Sequence, residues 1–291
     1  MMLKIRENIL LNKYATLGIG GPAKYFVEVK TIQEMVDVIK LCKEHTHHFI
    51  VIGKGSNILF DDRGFHGVVI LNKIDFFEDN KQGEFHVGAG YSFSLLGSKT
   101  ARKGWSGLEF ASGIPGTVGG AVFMNAGANG TETMETLKSV DFVNSEGDFV
   151  TMEKKEITFK YRYSSFHDWG GAIVGATFSL EPSDVARKRQ IEIIEYRTKT
   201  QPYGEKSAGC IFRNPAGAHA GQLIEKSGLK GSRIGGAEVS GLHANFIVNT
   251  EGASASDVLQ LIEHVKSHVK ETMNIELQDE VRVISYDKDQ S

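Results

Sequence analysis

Cysteine occurs only twice in this chain of 291 residues, and two thiols cannot frame a fold of that size. The disulfide-stapled secreted scaffolds are therefore excluded, and Cys42 and Cys210 are expected as free thiols in a reducing cytoplasm. Long apolar runs are also missing. The N-terminal stretch offers only Ile9-Leu10-Leu11, too short for a signal-peptide core or a membrane span. A basic excess is absent as well. The formal net charge of −3 gives no electrostatic basis for binding nucleic acid or anionic lipid. No internal repeat or low-complexity segment occurs, and the length suggests roughly two or three domains. His45, His47 and His48 stand without a carboxylate or thiol at ligand spacing, so they read as a solvated helix end and no metal site is expected.

Glycine is what the chain has in excess: 33 residues, against the usual ~7%. The densest cluster runs from Gly113 to Gly130, with Gly113, Ile114, Pro115, Gly116, Thr117, Gly119 and Gly120 at its start and Asn125, Ala126, Gly127 and Ala128 near its end. No Lys, Arg, Asp or Glu interrupts it. Glycine serves backbone that needs positive φ or close approach, and successive bare amides can form a concave anion-binding nest. Two readings stay open on spacing alone: a loop packed between elements, or a cradle for a phosphate-bearing ligand such as a dinucleotide.

A second glycine turn, Gly53-Lys54-Gly55-Ser56-Asn57, follows the apolar strand Phe49–Ile52. It gathers amides, a hydroxyl and a side-chain amide at a strand end, without the spacing of a nucleoside-triphosphate loop. Gly18 to Ala23 matches G-x-G-x-x-A, but no strand precedes it and no helix follows, so the dinucleotide fingerprint is rejected there.

Thr31-Ile32-Gln33-Glu34 is a capping-box pattern, and Ile32, Met35, Val36, Ile39 and Cys42 then line one helical face. Cys42 reads as core. Strands are expected at Lys24–Lys30, Gly67–Leu71, Phe85–Gly90, Ala172–Leu180 and Ile275–Ser285, with a hairpin from Val140 to Met152. Helices are expected after Ser92, after Ser183, from His219 to Gly228, and after Ser254 or Ser256. Arg162 lies between Tyr161 and Tyr163. It can stack on a ring and reach water, or hold a carboxylate by its fork of donors.

Taken jointly, Asn57 after G-K-G-S, the run G-I-P-G-T-V-G-G-A…N-A-G-A, and Tyr161-Arg162-Tyr163-Ser164 resemble the UDP-N-acetylenolpyruvoylglucosamine reductases. Ser207 to Pro215, Leu229 to Ser240, His243 to Asn249 and Leu277 to Arg282 extend the resemblance in the family's order, from about Asn12 to about Ile284. It implies an α+β chain of the vanillyl-alcohol-oxidase (PCMH) type. Two α+β subdomains, 1–74 and 75–184, would grip non-covalent FAD through the two glycine turns. A C-terminal α/β lid, 185–291, would close over the substrate.

The resemblance also implies the chemistry: UDP-N-acetylglucosamine enolpyruvate is reduced with NADPH to UDP-N-acetylmuramate, a peptidoglycan precursor. Arg162 and Glu280 map onto the residues that stabilise the enolate, and Cys210 onto the proton donor. Tyr161, Arg213 and Asn214 are expected substrate contacts. Many relatives carry serine where this chain has Cys210, and a thiol is a much stronger acid than an alkanol. Only 48 positions separate Arg162 from Cys210, leaving little room for the tyrosine-bearing loop of one branch, so the chain resembles the shorter branch. No nucleic acid, no membrane insertion and a monomer are expected. The rivals are another FAD enzyme of the same fold and a non-catalytic nucleotide-sugar-binding protein, which would purify colourless.

Overall fold

The computed structural model describes residues 3–80 and 82–287. Seven α-helices occur among them: α1 Ile32–Glu44, α2 Phe93–Arg102, α3 Val118–Phe123, α4 Thr133–Thr136, α5 Ala186–Thr200, α6 Ala220–Lys226 and α7 Ala255–Met273. Contacts group the chain into two units. Among the described residues, the first comprises 3–6, 26–53, 67–80 and 82–197, and the second 7–25, 54–66 and 198–287. This grouping differs from the three segments expected from the resemblance.

The first unit is built on a five-stranded antiparallel sheet in the order Phe149–Glu153, Leu137–Asn144, Gly171–Ser179, Glu84–Gly88, Phe77–Asp79. Side chains alternate across it, as the two-residue period of a strand demands. Phe85, Val87, Val140, Phe142 and Phe178 turn inward against Phe93 and Leu96 of α2 and Val118 and Val122 of α3. Each such burial stabilises the fold by roughly 1.5–3 kcal/mol. His86 and Asp141 face the other way and meet, with His86 Nε2 2.7 Å from Asp141 Oδ2. A parallel pair, Phe49–Ile52 beside Val68–Leu71, also belongs to this unit. Its neighbour α1 begins at the expected capping box: Thr31 Oγ1 accepts from the Glu34 amide at 3.1 Å, and the Glu34 carboxylate accepts from the Thr31 amide at 3.2 Å. Val38 joins Met35, Ile39 and Cys42 on the buried face, whereas Ile32 and Val36 are only half-buried.

The second unit carries a four-stranded antiparallel sheet ordered Ser207–Cys210, Phe246–Asn249, Ala237–Val239, Arg233–Ile234. Leu223 and Ile224 of α6 and Val258, Leu261, Ile262, Val265 and Val269 of α7 pack on Ala208, Ile211, Phe212 and Ile247. Ser254 is the N-cap of α7, exchanging hydrogen bonds with Asp257 at 3.0 and 2.9 Å. Ser256 lies inside the helix. Helices packed on antiparallel sheets make the chain α+β, as expected.

Two expectations gain detail and a third needs correction. Ser92 stands at the N-cap of α2 but makes no side-chain cap bond there, its hydroxyl lying 3.1 Å from that of Ser94. The helix expected from Ser183 begins at Ala186. The long strand expected over Ile275–Ser285 is reduced to Arg282–Ile284, parallel to Ile58–Phe60. The segment before it changes partners: Gln278 and Glu280 bond to Arg213 and Ile211, and Arg282 bonds to Asn57, so no continuous ladder forms.

Candidate functional site

The two glycine-rich turns meet. A Cβ on Gly53 would lie 2.3 Å from Thr117 Oγ1, so the end of the Phe49–Ile52 strand abuts the start of α3 with no room for a side chain. Thr117 is the N-cap of α3, accepting from the Gly120 amide at 3.3 Å. The Gly119 amide donates to the Ala89 carbonyl at 2.8 Å, and a Cβ there would sit 2.9 Å from that of Ala89. Val118 likewise donates to Tyr91. Part of the cluster therefore packs helix against strand, the first of the two readings left open. Pro115 and Gly120 remain exposed, Ile114 and Gly116 are half-buried, and Gly113 is buried.

The far end of the cluster is tied to Arg162. Lys160 and Tyr163 pair across a two-residue hairpin, so Tyr161 and Arg162 form its turn. Three hydrogen bonds hold this hairpin: Asn125 Nδ2 to the Lys160 carbonyl (3.1 Å), Arg162 Nη2 to the Gly127 carbonyl (3.0 Å), and Ser164 Oγ to the Phe123 carbonyl (2.6 Å). Asn125 is fully buried, and its side chain also serves Glu132 and the Met134 amide. It thus shapes the loop that presents Ala126, Gly127 and Ala128. Arg162 itself has φ 56°, a left-handed conformation that costs a non-glycine residue roughly 1–2 kcal/mol. Its guanidinium lies 4.7 Å from the Tyr161 ring centroid. Strain of this kind collects at functional sites.

In the second unit, the rest of the Gly53–Asn57 turn lies beside Cys210 and Glu280. Gly55 has φ 63°, and a Cβ on it would strike the Tyr14 carbonyl at 2.1 Å. Gly209, with φ 75° at an irregularity in the sheet register, would place a Cβ 3.8 Å from the Ser56 carbonyl. Cys210 is half-buried and pairs with Phe246. The Ile211 carbonyl accepts from the amides of Glu280 (2.7 Å) and Val281 (3.3 Å). Asn57 Nδ2 donates to the Glu280 carbonyl at 3.1 Å. The residue after the proton-donor candidate is thus bonded through its backbone to the carboxylate candidate.

Of the remaining candidates, Lys54 is exposed. The Arg213 amide donates to Gln278 at 2.8 Å, and its buried Nε has no protein partner among the described residues. Asn214 Oδ1 accepts from the Ala220 amide at 3.0 Å, fixing the start of α6. Two residues escaped the expected set. Asn245, 3% exposed, accepts from the Ile211 and Phe212 amides and donates to the Phe212 carbonyl, clamping the chain just after Cys210. No local pattern in the sequence marks it out. Arg282 is exposed, and desolvation by the protein around it holds its guanidinium below the ordinary arginine range.

No described helix is long and apolar enough to cross a membrane. Two family profiles match the chain: one described as an FAD binding domain, over residues 23–153, and one as the C-terminal domain of UDP-N-acetylenolpyruvoylglucosamine reductase, over residues 201–284. A UDP-N-acetylenolpyruvoylglucosamine reductase of Protochlamydia amoebophila is 57% identical, covering 98% of this chain and 95% of the relative. One from Chlamydia pneumoniae is 47% identical, covering 97% and 92%. The crystal structure of the reductase from Thermus caldophilus superposes with a TM-score of 0.83 at 37% identity, covering 97% of this chain and 99% of that one.

Proposed function

The chain belongs to the UDP-N-acetylenolpyruvoylglucosamine reductase family, and from that premise we propose the roles of its side chains. It is a flavin-dependent oxidoreductase that reduces UDP-N-acetylglucosamine enolpyruvate to UDP-N-acetylmuramate with NADPH. The residues present fit FAD. Neither glycine turn carries a carboxylate, and both offer amides and hydroxyls, a donor set suited to a pyrophosphate. Gly53, Lys54, Gly55, Ser56 and Asn57, with Gly113 to Thr117, Gly119, Gly120 and Ala126 to Ala128, would hold it, while Asn125, expected there from the sequence, is buried and shapes that loop instead. When bound, FAD accepts hydride from NADPH and returns it to C3 of the enolpyruvyl group.

Hydride arriving at C3 leaves negative charge on the substrate as an enolate. Arg162 supplies fixed donors for the enolate and its carboxylate, the kind of preorganised electrostatics that gives the largest catalytic effects. Glu280, as a protonated carboxylic acid donating a hydrogen bond, shares that task, and the Cys210 thiol delivers the proton to C2. Tyr161, Arg213 and Asn214 contact the substrate. The observation that supports this reading is the bond from the Glu280 amide to the carbonyl of Ile211, the residue after Cys210, with Asn57 bonded to the Glu280 carbonyl. The reading includes a cytoplasmic monomer, with 1–74 and 75–184 gripping FAD and 185–291 as lid.

Anaerobic stopped-flow tests it. NADPH should bleach the flavin, and the enolpyruvyl nucleotide should then restore the yellow colour. Reduced flavin that persists in excess nucleotide sinks the proposal.

A further inference from the structure

Glu280 is held by both of its backbone groups. Its amide donates to Ile211, and its carbonyl accepts from Asn57. The second bond is unusual in origin. Arg282 pairs with Ile58 in the parallel ladder, and the Arg282 amide donates to the Asn57 carbonyl at 3.0 Å. Continued one step, a parallel ladder would take the next bond, to the Glu280 carbonyl, from the backbone amide of Asn57. Here the side-chain amide of Asn57 makes that bond instead, at 3.1 Å. The main chain of the turn can thus leave the strand direction a residue early, while the ladder's grip still reaches Glu280.

We infer that Asn57 is a positioning residue for Glu280: its side chain is committed to the protein and sets where the carboxylate stands, so any hold of this residue on the cofactor comes through its backbone. This rests on the reading of Glu280 as a catalytic group. Asparagine suits the task because it is short and offers an N–H donor that aspartate and alanine lack. Losing it leaves the Glu280 carbonyl without that donor and frees the peptide to shift. Misplacement of a catalytic group by about 1 Å costs on the order of 10²-fold in rate.

The test uses Asn57→Ala and the near-isosteric Asn57→Asp in the full-length holoenzyme, with each half-reaction followed separately. Flavin should be retained. The substrate-reducing step should fall at least ~10-fold further than flavin reduction by NADPH, and its pH profile should shift with the displaced carboxylate. Loss of flavin, equal slowing of both half-reactions, or no slowing of either overturns the inference. Asn57→Ser, which keeps a shorter donor, replaces any variant whose circular dichroism shows that it has not folded, and should lie between wild type and Asn57→Ala. Wild-type reduced enzyme that the enolpyruvyl nucleotide fails to reoxidise would instead condemn the underlying assignment of function.

Discussion

Arg162 donates from Nη2 to the carbonyl of Gly127 at 3.0 Å, joining a strained hairpin turn to the end of the glycine cluster. A side chain at position 127 is excluded too, since a Cβ there would lie 2.7 Å from the Thr131 carbonyl. The arginine and the backbone it grips therefore depend on one another.

That strain can be separated from function. Glycine adopts φ 56° without penalty, so Arg162→Gly should unfold at a temperature close to wild type, while Arg162→Ala should be less stable by about 1 kcal/mol. Both should slow the substrate-reducing step by ~10²-fold or more, because preorganised donors are lost in each. Thermal melts and single-turnover rates decide it, and equal melts for the two variants would remove the strain argument.

Cys210 and Cys42 should behave oppositely towards alkylation. Burial pushes the Cys42 thiol up to about 11, whereas Cys210 is only half-buried. An alkylating agent should label Cys210 first and abolish the substrate-reducing step, as peptide mapping by mass spectrometry would show. Cys210→Ala should slow that step by ~10²–10⁴-fold if the thiol is a general acid. Flavin reduction should be far less affected, and an equal loss in both half-reactions would exclude the role.

Gly53→Ala should weaken flavin binding by distorting the proposed cradle itself. Its new methyl would collide with Thr117, which caps α3. Overpacking of this kind costs about 1–3 kcal/mol. The expected result is a lower melting temperature together with a smaller flavin-to-protein absorbance ratio.

His86 should make stability depend on pH. Burial disfavours its charge, but Asp141 on Nε2 and Glu78 on Nδ1 outweigh that effect and raise its pKa above the ordinary 6.5. Stability from this cluster is therefore complete below the unfolded value and is lost as pH rises through the folded one. Melts of wild type should decline from pH 6 to 8.5 relative to those of His86→Phe. Parallel pH profiles would show that the cluster contributes nothing.

Much of this was legible in the chain itself. Thr31 and Glu34 announced the start of α1 because a capping box is local, and Met35, Ile39 and Cys42 marked its buried stripe by spacing alone. The extended segment before Arg282 was misread as one strand, because alternating residues cannot reveal that their hydrogen-bond partners change midway. Asn125 and Asn245 were equally opaque: whether an asparagine binds a ligand or serves buried backbone depends on what folds against it.

What the sequence alone determined is the inventory: elements whose hydrogen bonds close within a few residues, and a set of motifs whose order marks the family. What only the tertiary structure decided is adjacency. Gly53 meeting Thr117, Arg162 reaching Gly127 and Asn57 holding Glu280 are contacts between positions far apart in the chain. No local propensity encodes such pairs, because they form only when burial of the two cores brings distant segments together.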